Sequence, residues 1–295
     1  MSTLQDLQRQ IESISNTSKM TQAMQTISAV KLSRARARLN RVKPYTDEIE
    51  QMVRDIAYQS QNTNNEYLAG RDEVNAVAIC SITSDRGLAG AFNAQVLRQT
   101  MELREQQDAN VDVLHVVTGN KAQEFFRFQR ASIEKAYTGF SDSPDYDHAR
   151  EIGSYLSRLF DDGEADEVHL IYNRFQNALV QYPTHVQLLP VPIEEEGDEE
   201  EEEDGGQGTN LEFVPSMGEL LKRLVPQYIE TMIFRALVES AAGEHGARMA
   251  AMKSATDAAN DMVEELTQQM NKARQEAITQ EIIEISAAMV ALGQL

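Results

Sequence analysis

Two segments, one at each end of the chain, restrict the fold more than anything between them. Over residues 3–58 apolar side chains recur at steps of three and four: Leu4, Leu7, Ile11 and Ile14, then Met20, Met24 and Ile27. No glycine interrupts this run and Pro44 is its only proline. It reads as one helix, about 80 Å long at the α-helical rise. Residues 217–292 repeat the pattern through Met249, Met252, Ala255, Ala259, Met262, Leu266, Met270, Ala273, Ile278, Ile282, Ile285, Met289 and Leu292. Pro226 is expected to kink this second helix near its start, and Gly243 with Gly246 to weaken it. Helices this long with a narrow apolar seam pair with another helix, and the alanines in the seam favour close approach.

The chain between them has a different texture. VNAVAICSIT (74–83), VDVLHVVTG (111–119), DEVHLIYNRF (166–175) and THVQLLPV (184–191) read as strands, with a weaker one over 132–137. Helical stretches near 91–106, 121–128 and 147–160 alternate with them. That order predicts a small Rossmann-like α/β domain with a largely parallel sheet. An inserted domain returns the chain near where it left, so the terminal helices must pair antiparallel. The expected fold is α/β with a long antiparallel coiled coil. Its expected parts are residues 1–60 (first coil helix), 70–193 (α/β domain), 194–212 (an acidic, disordered insertion) and 213–295 (second coil helix).

Charge narrows the function classes. The formal net charge is -20, which repels nucleic-acid phosphates. Ten acids lie in the run 194–204, and the remainder still carries 37 acids against 27 bases. Adaptation to high salt would account for such a surface, as would solubility alone. The lone Cys80 sits in an apolar run and reads as a buried structural thiol. The N-terminus lacks the layout of a signal peptide, and no run approaches the roughly 18 apolar residues that span a bilayer. A soluble cytoplasmic protein able to dock on a membrane complex is expected.

Catalysis finds little support. SDRGLAGAFN (84–93) lies between a strand and a helix, where a phosphate loop would lie, but it matches neither GxxxxGK[ST] nor GxGxxG. A tight turn needing Gly87 and Gly90 is the reading. His115, His148, His169, His185 and His245 lack metal-ligand spacing. No cofactor and no metal are expected.

Two features point to a partner instead. Between residues 13 and 46 there is no acid, while Lys19, Lys31, Arg34, Arg36, Arg38, Arg41 and Lys43 all lie there. A solvated helix face does not explain that segregation in so acidic a chain; a partner presenting carboxylates does. Beyond Glu284 no charged side chain appears. If Met24 lies near Arg248, facing positions sum to 272 and the chain beyond about residue 271 protrudes unpaired. An apolar helix end in water needs a partner's sleeve.

These residues resemble a known family. NTSKMTQAMQTISAVKLSRA (16–35), SDRGLAGAFN (84–93) and EHGARMAAMKSATDAANDMVEELTQQMNKARQEAITQEIIEIS (244–286) are similar to the signatures of ATP synthase gamma subunits, bacterial type. The likeness covers the chain except the acidic insertion. It implies a non-catalytic rotor: a coiled-coil shaft inside a hexamer of α and β subunits, which hold the nucleotides. It implies an α/β foot bound to the ε subunit and the membrane c-ring, on the cytoplasmic face of the inner membrane. Residue by residue, it implies that Met24 and Arg248 lie near an acidic lever loop of β, and that Arg274, Gln275 and Thr279 contact its catch region. Arg34 and Arg36 belong to the coupling surface on the same reading. Ala89 stands where many relatives carry cysteine. A free coiled-coil tether and a small α/β enzyme with helical arms are the competing readings; co-purification with nucleotide-binding subunits separates them.

Overall fold

The computed structural model describes residues 4–59, 66–71, 73–192 and 217–291. The acidic run and the whole 194–212 insertion lie outside those residues. The elements are α1 (Leu4–Gln59), α2 (Glu66–Ala69), β1 (Ala76–Ile82), α3 (Phe92–Gln106), β2 (Asp112–Thr118), α4 (Asn120–Phe128), β3 (Lys135–Tyr137), α5 (Tyr146–Asp161), β4 (Glu167–Phe175), β5 (Gln181–Leu189) and α6 (Met217–Ala291). Both expected terminal helices form, of 56 and 75 residues.

The sheet runs β3-β2-β1-β4-β5. Its first four strands are parallel; β5 is antiparallel to β4. The reversal follows from the short turn between them, too short for a crossover. Asn177 builds that turn, its Oδ1 accepting from the Leu179 and Val180 amides. Both faces of the sheet are covered, which is why its strands read as continuous apolar runs. On one face Ala78, Cys80, Ile82, Leu170 and Tyr172 meet Ile152, Leu156 and Phe160 of α5. On the other, Val77, Ile79 and Ile171 meet Val96 and Leu103 of α3, and Val117 meets Phe126 of α4. Cys80 is fully buried and burial pushes its thiol up to about 12, so it is unreactive.

Packing divides the chain into two compact units, Ala29–Arg248 and Met1–Ser28 with Met249–Leu295. The larger unit takes in the inner ends of both long helices. Val53 and Ile56 of α1 and Ile229, Met232, Ile233 and Leu237 of α6 belong to the same core as the sheet. At about 1.5–3 kcal/mol for each such side chain buried, these helix ends are part of the α/β fold rather than appended to it. Arg235, 5 % exposed, adds polar links: it pairs with Asp47 and Glu50 of α1 at 2.9 and 3.0 Å and with Glu239 at 3.0 Å.

The two glycines expected to weaken α6 serve its packing instead. The helix runs through Pro226, Gly243 and Gly246 without a break. A Cβ at Gly243 would lie 3.0 Å from the Phe92 ring, and one at Gly246 2.8 Å from the Ala178 carbonyl oxygen. These glycines let α6 pack against α3 and the β4–β5 turn; their role is close approach, not flexibility.

In the smaller unit the first helix follows a strict three-four alternation through Leu7, Ile11, Ile14, Ser18, Thr21, Gln25 and Ser28, all buried or half-buried. The sequence reading departed from this seam after Ile14. Met20 and Ile27 are 65 % and 57 % exposed, and on α6 Met262 is 50 % exposed while Val263 takes its place. Apolar identity misled because the seam turns polar there: Ser18 donates to Asn260 at 2.7 Å, and the Thr21 and Thr256 hydroxyls lie 2.6 Å apart. These pairs confirm antiparallel helices, with facing positions summing to 277 or 278 rather than 272. No described helix is long and apolar enough to cross a membrane.

Candidate functional site

The smaller unit presents two surfaces. On α1, Met20, Met24 and Ile27 fall on one side of the helix at steps of four and three; Met24 is half-buried and its neighbours exposed. The Ser28 hydroxyl donates to the Met24 carbonyl at 2.8 Å, inside the seam. On α6, every side chain from Arg274 to Met289 is exposed. Three predicted residues lie there: Arg274, Gln275 and Thr279, whose hydroxyl donates to the Gln275 carbonyl at 2.8 Å. Ile278, Ile282, Ile283, Ile285 and Met289 are 41–61 % exposed on the same stretch. The shifted register moves the start of this bare stretch from the expected residue 271 to 274.

The larger unit carries most of the basic band, and its own carboxylates absorb part of it. Lys31 pairs with Asp142 at 2.6 Å, and Arg38 pairs with Asp145 at 2.8 Å while lying 5.6 Å above the Phe234 ring. Burial raises the Asp142 carboxyl, but the Lys31 hydrogen bond and the nearby His245, Lys31 and Arg86 charges hold it below the usual carboxylate range. Arg34 and Arg36 are exposed and make no ion pair among the described residues, as is true of Arg41 and Lys43. Sequence reasoning missed Asp142 and Asp145 because they lie over 100 positions away from their partners.

Arg248 is placed differently from its neighbours in the prediction. It is 8 % exposed, pairs with Glu244 at 2.7 Å and donates to the Gly87 carbonyl at 3.1 Å. Its charge is thus held inside its own unit, against the turn that follows β1. That turn also corrects an expectation. Gly90 has φ +57, as a tight turn requires, but the other left-handed residue is Leu88 at φ +62, not Gly87. A Cβ at Gly87 would meet nothing closer than the Lys121 side chain at 3.7 Å. The backbone donors around the turn converge on the chain's own carboxylate: Asp85 accepts from the amides of Asn120, Gly139 and Ser141 at 3.0–3.1 Å.

The family model described as ATP synthase matches residues 3–292. The ATP synthase gamma chain of Rubrobacter xylanophilus is 52 % identical, over 99 % of this chain and 99 % of its own length. The chain belongs to the ATP synthase gamma-chain family. The gamma chain of Pelotomaculum thermopropionicum is 40 % identical over 99 % of this chain. Among solved structures, a chain of the Euglena gracilis mitochondrial ATP synthase (OSCP/F1/c-ring, rotational state 3) superposes with a TM-score of 0.64 at 19 % identity, covering 97 % of this chain and 94 % of its own. One from the central stalk and c-ring of the Tetrahymena thermophila enzyme gives 0.60 at 21 % identity, covering 80 % of this chain. At those identities the superpositions show a shared fold.

Proposed function

We propose that this gamma chain is the turning shaft of a bacterial F-type ATP synthase, coupling ion flow through a membrane c-ring to ATP synthesis in a hexamer of α and β subunits. It does no nucleotide chemistry itself, binds no nucleic acid and does not insert into the bilayer. Its foot contacts the ε subunit and the c-ring at the cytoplasmic face of the inner membrane. The observation that carries this reading is the stretch Arg274–Met289, a helix exposed on every side yet set with five large apolar residues. Such a surface needs an enclosing socket, and a ring of subunits supplies one. Isolation of the tagged chain from cells expressing the complex tests it: nucleotide-binding subunits are expected to co-purify. Recovery of the chain only as a free homodimer would overturn the assignment.

Met24, Arg34, Arg36, Arg274, Gln275 and Thr279 are proposed to touch the hexamer. Arg248 acts one step back, by holding the turn at Gly87. Exposed ion pairs contribute about 0–1 kcal/mol each, so torque comes from a stiff coil pushing sterically, with the charges steering. Neutralising Arg34 or Arg36 singly is therefore expected to leave coupled synthesis largely intact. Complete loss from one such change, measured in inverted vesicles, would refute steric transmission. Met24→Lys, by contrast, adds a cation to a sliding apolar stripe facing a carboxylate-rich partner. The number of ions pumped per ATP hydrolysed is expected to fall, and an unchanged ratio would remove Met24 from the contact surface.

A further inference from the structure

The histidines, without metal spacing in the sequence, include a linked pair. His169 on β4 is 3 % exposed, and its Nε2 lies 2.8 Å from Glu167 Oε2. Its other nitrogen, Nδ1, lies 2.9 Å from Nε2 of His185 on β5. Strand β5 is the sheet edge and, among the described residues, pairs only with β4. The ladder between them shifts register between Val168 and His169, so the side-chain chain sits where the backbone pairing is irregular. His185 itself is reached by solvent.

We propose that Glu167, His169 and His185 form an acid-sensitive latch holding the edge strand β5 to β4. A carboxylate only accepts hydrogen bonds, and a neutral imidazole has one donor and one acceptor. Glu167 therefore takes the proton of His169 Nε2, which leaves His169 Nδ1 as acceptor for His185 Nε2–H. That is the single neutral arrangement satisfying both contacts. One added proton is accommodated on the free Nδ1 of His185. A second would turn N–H against N–H across 2.9 Å and break the link.

The surroundings offer an imidazolium little else. Ile79 and Val77 of β1 lie opposite His169 and Glu167, and Gln187 of β5 lies opposite His169. Helix α3, packed over β4 and β5, buries Phe92, Val96 and Leu103, while its charged Arg98, Glu102, Arg104 and Glu105 are exposed. Arg235 and Glu239 of α6 act on Tyr172, whose side chain points to the opposite face of β4. Burial lowers the affinity of both rings for a proton, the His169 charge lowers that of His185 further, and Glu167 only partly offsets this. Folded-state values below the ordinary one mean that the latch is complete above the imidazole range. It weakens as pH falls through that range.

Hydrogen exchange of the β5 amides in the full-length chain, corrected for intrinsic rates, tests the latch between pH 7.5 and 5.5. Local opening is expected to rise with acid, by up to about tenfold per pH unit for each proton taken up on opening. His185→Gln keeps a donor toward His169 Nδ1 and, by turning its amide, offers an acceptor once that nitrogen is protonated, so its opening is expected to be flat over the same range. Nitrogen-15 spectra of the imidazoles at pH 7.5 are expected to show both rings as Nε2–H tautomers. An equal pH dependence in wild type and His185→Gln, no pH dependence in wild type, or an Nδ1–H tautomer at His185 would each overturn the proposal.

Discussion

Arg248→Ala is expected to destabilise the larger unit by about 3–5 kcal/mol, the range for removing one partner of a buried ion pair. The reason lies in what is left behind. Glu244 is 2 % exposed, and burial already pushes its carboxyl above the usual range despite the Arg248 guanidinium beside it. Without that guanidinium the charge is stranded, and the Gly87 carbonyl loses its donor. Denaturant unfolding measures the loss. The sign of its pH dependence is fixed: a raised carboxyl is penalised when ionised, so the deficit should shrink as the solution is acidified toward protonation of Glu244. Glu244→Gln, combined with Arg248→Ala, should recover part of the loss by removing the stranded charge. A single variant as stable as wild type would mean that Arg248 is not committed inside the fold.

Removal of residues 285–295 is expected to act in the opposite place. Ile285 and Met289 are 61 % and 41 % exposed, so their loss takes nothing from the chain's own core. The unfolding midpoint of the isolated chain should not move. In a socket, each would contribute about 1.5–3 kcal/mol on burial. Loss of both then weakens capture by the hexamer by about two orders of magnitude or more. Yield of complex co-purified through an α or β tag is the readout. Undiminished assembly would sink the enclosed-tip argument, and a fall in the midpoint would show that the tip packs on its own chain.

The sequence fell short at several places. The burial of Arg248 was not legible, because helix spacing alone does not say which side meets a folded domain. The turn it holds comes from residues 86–87, over 160 positions away. Met20, Ile27 and Met262 looked like seam residues because they are apolar. The pairing instead runs through Ser18 with Asn260 and Thr21 with Thr256, whose polar groups satisfy one another only once the helices are aligned. The basic band was visible, but the share of it neutralised by Asp142 and Asp145 was not.

Read alone, the chain determined the long helices at both ends, the alternation that makes a parallel sheet, and its family. All three are written in local periodicity or in contiguous signatures, and local terms suffice to specify them. Only the tertiary structure decided the coil register, the burial of Arg248 and the pairing of His169 with His185. Each depends on contacts between residues far apart in sequence, whose energies appear only when folding brings them within hydrogen-bond reach.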